Sequence, residues 1–347
     1  GSATELRPGG LLRTGFELEP AEADRADGFI IYDVRLALTG VVGYVFDYTL
    51  GVEYDRDDAG IDLLDAVISF PVGGGDAFHA DLGGFRSPVS REALTDKALL
   101  PFVERSQSAL ALAPGRQLGL QLRGTAMDSR FSAAAGVFNG NGLRLENDDK
   151  SLLAAARVAY NSVGEIEFFE DFVIEAGLNL AWSRDSAQAV LPIEARTTSD
   201  PGARRLVDLV EYEGHRLTWG GDARLAYRGW TLAAEYLRTD YDPDAGLDAH
   251  ADGVTVDLRH LLWGAFDVGV RYDGFTPAVG IGGAPPETSR FLIAGLGVAP
   301  GLFARVGMQY AFGIDGTTRG VSGALDGTNT APPLTNDQFL LYLQLAF

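Results

Sequence analysis

One pattern constrains this chain more than any other: apolar and polar residues take turns, one for one, in segment after segment. In Phe46–Tyr54 the even positions are Phe, Tyr, Leu, Val and Tyr, and the odd ones Asp, Thr, Gly and Glu. Leu118, Leu120 and Leu122 interleave with Gln117, Gly119, Gln121 and Arg123, and Ile174, Ala176, Leu178, Leu180 and Trp182 with Glu175, Gly177 and Asn179. A period of two is the strand period, with one apolar and one polar face. About 16 such segments occur, near residues 10–19, 29–39, 44–55, 61–70, 77–84, 117–124, 130–138, 152–161, 173–183, 217–227, 230–241, 253–261, 265–273, 290–299, 302–312 and 337–347. The best stretch of helical period, Glu92–Phe102, lies inside a connection. The chain reads as all-β.

A soluble sandwich could alternate in the same way, so the connections decide. Those after even-numbered strands are short, as in Gly40–Gly43, Pro71–Asp76, Thr125–Ser129, Arg228-Gly229, Leu262–Gly264 and Pro300-Gly301. Those after odd-numbered strands are longer, acidic and rich in Gly or Pro: Pro20–Gly28, Arg86–Arg116, Asn139–Ser151, Arg184–Arg216, Asp242–Asp252, Gly274–Ser289 and Gly313–Asn336. Ser162–Phe172 is longer and Arg56–Gly60 shorter than this scheme expects. Short turns at one end and long loops at the other describe a bacterial outer-membrane β-barrel, a multi-pass protein with turns periplasmic and loops extracellular. The 347 residues allow about 22 per strand and connection, which suits transmembrane strands of ~9–11 residues. The expectation is a single 16-stranded antiparallel transmembrane barrel over residues 1–347. No run of 18 apolar, uncharged residues is present, which excludes a helical span. The last segment agrees: Phe339, Leu341, Leu343, Leu345 and Phe347 form one apolar face ending in an aromatic residue, resembling the signal that barrel-assembly machinery reads. Gly1-Ser2 reads as a cloning remnant before a mature chain starting near Ala3.

With lipid outside, the polar faces must point inward, because a midplane Arg or Lys on the lipid face costs about 2–4 kcal/mol. That assigns Arg13, Arg35, Arg123, Arg157, Arg224, Arg259, Arg271 and Arg305 to the lumen wall, together with acids such as Asp47 and Asp65. Sixteen strands enclose more space than side chains fill, so the lumen is expected to hold water rather than a packed core. The absence of Cys excludes disulfides and thiolate metal sites, and a net charge of −20 argues against a nucleic-acid partner.

The fifth segment and its surroundings resemble a known family. Leu63-Leu64-Asp65-Ala66 is followed by Gly84-Phe85-Arg86-Ser87-Pro88-Val89-Ser90-Arg91-Glu92, Pro101-Phe102-Val103-Glu104-Arg105-Ser106, Leu118–Leu122 and Gly136–Gly140. This ordered set, across roughly residues 29–161, resembles the phosphate-selective porin O/P family. The resemblance implies a homotrimeric 16-stranded barrel whose third loop, residues 85–116 here, folds inward and constricts the pore. It also implies that basic residues set anion selectivity: by motif position Arg86 stands where the family has lysine, and Arg105 matches an arginine. The constriction candidates are Arg86, Arg91, Lys97, Glu104 and Arg105. Lys97 is the loop's one lysine in a strongly acidic chain, so selectivity for phosphate stays open, and Arg86 and Arg105 could equally tie the loop to wall carboxylates such as Asp65.

The reading is passive diffusion of small ions and solutes through a water-filled pore, with anion preference from the lumen arginines and no cofactor. The alternative is a phosphate- or pyrophosphate-specific channel; a cation-preferring channel, an adhesin and a barrel hydrolase rank lower. No G-x-S-x-G or H-E-x-x-H motif occurs among the four histidines, so no catalytic residue is assigned; His79 is the one strand histidine to weigh. Asp240–Gly246 spaces carboxylates at alternate positions, a pattern open to loop-bound calcium, but lacks the Gly and distal Glu of an EF-hand.

Overall fold

The computed structural model describes residues 4–18, 28–43, 45–54, 60–73, 75–143, 147, 150–162, 172–191, 210–246, 248–276, 288–301, 304–314 and 337–347. The strands are β1 Thr4–Leu18, β2 Gly28–Val42, β3 Phe46–Tyr54, β4 Ile61–Pro71, β5 Phe78–Arg86, β6 Arg116–Ala126, β7 Phe131–Phe138 and β8 Leu153–Asn161. They continue as β9 Phe172–Leu191, β10 Val210–Tyr227, β11 Trp230–Pro243, β12 Ala249–Leu262, β13 Phe266–Thr276, β14 Ser289–Gly301, β15 Ala304–Gly313 and β16 Gln338–Ala346. Each pairs with its sequence neighbours, and β1 pairs antiparallel with β16, so the sheet closes into a barrel. Backbone bonds in both directions between Gly10 and Phe347, at 2.7 and 3.1 Å, finish the seam. A Cβ on Gly10 would lie 2.6 Å from the Phe347 ring, so glycine lets the terminal aromatic lie over the strand.

All 16 expected strands are present; the structure lengthens several at the loop end, notably β9 and β10, where polar residues leave the alternating stretch. The tight turns follow from local chemistry. Arg228-Gly229 and Trp263-Gly264 both have positive φ, at 45° and 82° and at 50° and 72°, the two-residue geometry that matches strand twist. The expected connections after β1, β3, β8, β9, β13 and β15, part of that after β7, and Gly1-Ser2 lie wholly or largely outside the described residues.

The barrel is inside-out relative to a soluble protein. Leu36, Leu50, Leu120, Leu178, Leu232, Val268, Met308 and Leu343 are exposed outward, whereas Arg13, Asp33, Asp222, Glu235, Asp257 and Arg271 are buried within. Aromatic pairs mark both rims of the outer wall. Phe46–Phe70, Phe131–Tyr160, Phe172–Tyr227 and Trp263–Phe266 sit at the turn end, and Phe16–Phe29, Trp219–Tyr236 and Tyr310–Phe312 toward the loop end. On β10 the two belts are separated by Trp219 to Tyr227, roughly 20 Å at ~3.3 Å per residue and ~40° tilt, comparable to a bilayer's apolar band.

The interior departs from the expected water-filled lumen. At the loop end, Phe85, Val89, Leu112, Phe138, Leu153, Leu237, Tyr241 and Phe275 form one buried apolar cluster reaching from β5, β7 and β8 to β11 and β13. Phe102 packs on Phe291 and Ile293, and Val103 on Leu340 and Tyr342. The physical reason lies in the third loop: it carries Val89, Phe102, Val103 and Leu112 inward, and wall positions opposite it are apolar where the rest of the inner face is polar.

Candidate functional site

Residues 87–115 are held by caps from their own side chains and from the wall. Helix α1, Arg91–Leu94, starts at Ser90, whose hydroxyl accepts the Ala93 N–H, while the wall carboxylate of Glu235 accepts the N–H groups of Arg91 (2.9 Å) and Glu92 (3.0 Å). A 3₁₀ turn at Lys97–Leu99 is capped by Asp96. Helix α2, Gln107–Leu112, starts at Ser106, and the wall carboxylate of Asp273 accepts the Gln107 N–H at 3.0 Å. First-turn N–H groups have no partner within a helix, and these carboxylates supply one.

Arg271 is the hub between loop and wall. Its guanidinium, 1% exposed, grips Asp257 with two bonds of 2.7 and 2.9 Å, donates to Glu92 at 2.7 Å and to the Glu104 carbonyl at 3.2 Å, and lies 4.6 Å over the Phe102 ring. Burial alone would raise the Glu92 carboxyl, but Arg271 and two hydrogen bonds from Ser106 hold it below its ordinary value. Further along, Arg305 donates to the carbonyls of Leu100 and Pro101 at 2.8 Å, Gln309 accepts the Val103 N–H at 2.7 Å and Gln344 donates to the Ala98 carbonyl at 2.8 Å. Arg13 bonds the Val103 carbonyl and Asp33, and Lys97 reaches Asp33 and Glu53.

On the β2–β6 side of the loop the positive charge concentrates. Arg86 interacts electrostatically with Arg35, Arg105 and Arg116, and Arg105 with Arg35 and Arg116. Arg86 donates to the carbonyls of Leu94 and Thr95 at 3.0 Å, and Arg105 to those of Glu92 and Thr95 at 3.1 and 2.5 Å. Carbonyls satisfy their donors but cancel no charge. Arg35 pairs with Glu53 at 2.8 Å, and Arg116 grips Asp65 with two 3.0 Å bonds. Burial lowers the Arg105 guanidinium from its ordinary value, with Glu92 opposing and Arg35 and Arg116 adding; arginine still stays charged at neutral pH.

Below the loop, toward the turns, Arg123 pairs with Asp81, Arg157 with Asp222, Arg224 with Glu175 and Arg259 with Asp267. A cavity of about 390 Å³ lies between the underside of the loop and the wall of β9–β13; Arg91, Leu99, Glu175, Arg224, Glu235 and Arg259 contribute to its lining.

The sequence-derived candidates thus divide. Arg86, Lys97, Glu104 and Arg105 meet at or beside the loop with Arg13, Arg35, Arg271 and Arg305. Arg91 faces the cavity with Arg224 and Arg259, and Arg123 and Arg157 lie nearer the turns. Asp47 is exposed near the turn end of β3. Asp65 is bound to Arg116, not to Arg86 or Arg105, which hold the loop through its carbonyls instead. Arg116, Glu235 and Asp273 lie outside the sequence-derived constriction candidates; alternation places Glu235 on the inner wall but gives no sign of its capping role, the basic residue at the start of β6 was a signal for Arg116, and nothing local marks Asp273. His79 sits on β5 opposite Arg123. In the Asp240–Gly246 run, Asp240 accepts from Arg238 and Trp219 and Asp244 pairs with Arg184, so these carboxylates face different partners. No group of three or more His, Asp or Glu among the described residues could hold a metal ion.

Comparisons agree with this architecture. The profile of the family described as phosphate-selective porin O and P matches residues 15–278. No curated protein matches the chain. Among solved structures, OmpT of Vibrio cholerae in a trimer form is similar at 14% identity and a TM-score of 0.65, over 99% of this chain and 100% of that one. An anion-selective porin from Comamonas acidovorans is similar at 14% identity and a TM-score of 0.64, over 99% and 100%. OmpF of Salmonella typhi, in complex with daunomycin, gives 13% identity and a TM-score of 0.63 over 100% and 98%.

Proposed function

Because this chain belongs to the phosphate-selective porin O and P family and is an outer-membrane porin, we propose that it conducts small anions and solutes passively, with selectivity set where residues 85–116 constrict the barrel. The whole chain acts as one barrel with its loops extracellular. One observation carries the anion preference: Arg35, Arg86, Arg105 and Arg116 lie close enough to repel one another, and two of them spend their donors on neutral carbonyls. Arg35 and Arg116 are paired with Glu53 and Asp65, but Arg86 and Arg105 make no ion pair among the described residues, and such charge attracts counter-ions and weighs most on permeation at the narrowest point. The net charge of −20 does not oppose this, since many of the acids belong to the long connections rather than the constriction. On the remaining wall Arg123, Arg157, Arg224 and Arg259 are held in ion pairs with Asp81, Asp222, Glu175 and Asp267 and leave little field of their own. Channel function calls for no cofactor and no catalytic residue. Assembly as a homotrimer is supported by the family and by the trimer form of the Vibrio cholerae outer membrane protein OmpT.

The test is the zero-current potential of purified protein in a planar bilayer under a KCl gradient. Anion preference that weakens in Arg86→Gln and Arg105→Gln is expected. Cation preference would refute the proposal, and chloride current blocked by phosphate at concentrations far below chloride's would favour the phosphate-specific alternative.

A further inference from the structure

We propose that the cavity beneath the loop is a subsite for small organic acids, in which Arg91 binds the carboxylate and Leu99 supports the apolar body. The inference rests on the channel reading and names a substrate class for it.

Two observations point there. First, Leu99 is 74% exposed although the loop holds it inside the barrel, while its neighbour Leu100 is buried. An apolar side chain standing free in a charged cavity is a surface that water covers poorly and an apolar ligand covers well. Secondly, Arg91 is the cavity's least satisfied ion. Among the described residues its side chain makes no hydrogen bond; its Nε is buried without a partner, and its ion pair, to Asp222, is 3.7 Å long. Asp222 already holds Arg157 at 2.7 Å.

The acids lining the same space are engaged elsewhere. Glu92 and Asp257 hold Arg271, Glu235 accepts the backbone N–H groups of Arg91 and Glu92, and Glu175 pairs with Arg224. What remains available is the Arg91 guanidinium beside an apolar floor, while Arg224 and Arg259 stay in their ion pairs with Glu175 and Asp267. A guanidinium matches a carboxylate with two parallel bonds and also stacks on flat rings. Inorganic phosphate could use the fork but gains nothing from Leu99. A cavity of about 390 Å³ lies in the size range that holds small ligands.

The test uses the full-length protein in planar bilayers carrying KCl current, with benzoate, acetate or phosphate added at matched ionic strength. Benzoate is expected to reduce the current at lower concentration than acetate or phosphate. Arg91→Gln should weaken that block about tenfold, the loss of one charge-assisted bidentate contact, and Arg91→Lys should recover only part of it. Leu99→Asn should weaken the benzoate block several-fold and leave acetate unchanged. An intact channel blocked equally by all three anions, or block unaltered in Arg91→Gln and Leu99→Asn, overturns the subsite alone. No current in KCl from folded protein removes the channel reading and the subsite with it.

Discussion

Arg271→Met should release the loop from the wall while leaving the barrel closed. The native guanidinium is buried between Asp257 and Glu92, 179 positions from the latter, and also binds the Glu104 carbonyl. Methionine retains much of the stem's volume and removes the charge, so both carboxylates lose their buried cation. Breaking a buried pair by deleting one partner costs about 3–5 kcal/mol, because the surviving charge is left uncompensated. Barrel strands keep all their ladder bonds, so the cost falls on loop attachment. At ~1.4 kcal/mol per decade the open fraction of the loop rises roughly 10²- to 10⁴-fold.

Hydrogen exchange reads this directly. The amides of Ser106, bonded to Glu92, and Leu110, bonded to the Ser106 carbonyl, should lose protection by that factor, whereas strand amides of β12 and β13 should not. Open-channel current noise should rise in parallel. Adding Glu92→Gln to Arg271→Met should restore part of the protection, since it removes one stranded charge; the cycle of single and double variants isolates the coupling. Loop protection within a factor of about five of wild type in Arg271→Met would refute the hub assignment, and so would purely additive effects of Glu92→Gln.

Three further outcomes follow from the same contacts. Glu235→Gln and Asp273→Asn each remove the charge at a loop-helix cap and should cost about 1 kcal/mol of loop protection apiece, read by exchange at Glu92 and Gln107. The Glu92 carboxyl is depressed in the folded protein, so its stabilising contribution is complete above the unfolded value of about 4.3 and fades only as pH falls further; the coupling between Glu92→Gln and Arg271→Met, read by exchange at Ser106, should hold down to about pH 5 and shrink below about pH 4. Leu178→Arg, on the lipid-facing wall, should lower folding stability in bilayers by about 2–4 kcal/mol, whereas a lumen substitution such as Arg224→Gln should cost far less.

How far the sequence alone reaches depends on how local each cause is. The strands were legible because alternation is written within nine or ten residues, and because lipid on one side and polar groups on the other penalise every exception. Turns such as Arg228-Gly229 were legible for the same reason, since the geometry of two residues decides them. The loop's attachment was not. Arg271 looks like any inward arginine of β13 until the barrel closes and Glu92 arrives beside it, and Glu235 and Asp273 acquire their role only when the N–H groups of α1 and α2 are brought to them. Inward apolar residues tell the same story from the other side. Leu237 and Phe275 occupy wall positions where a water-filled pore would want polar groups, and they are intelligible only as the bed on which Val89 and Leu112 rest. An inward strand position is therefore polar where it meets water and apolar where it meets the loop, so breaks in the alternation on the inner face mark where a barrel of this kind carries its constriction. Here those breaks cluster at the loop end of β5, β7, β8, β11 and β13, with further ones on β14 and β16, and these are the stretches of wall against which residues 87–115 pack.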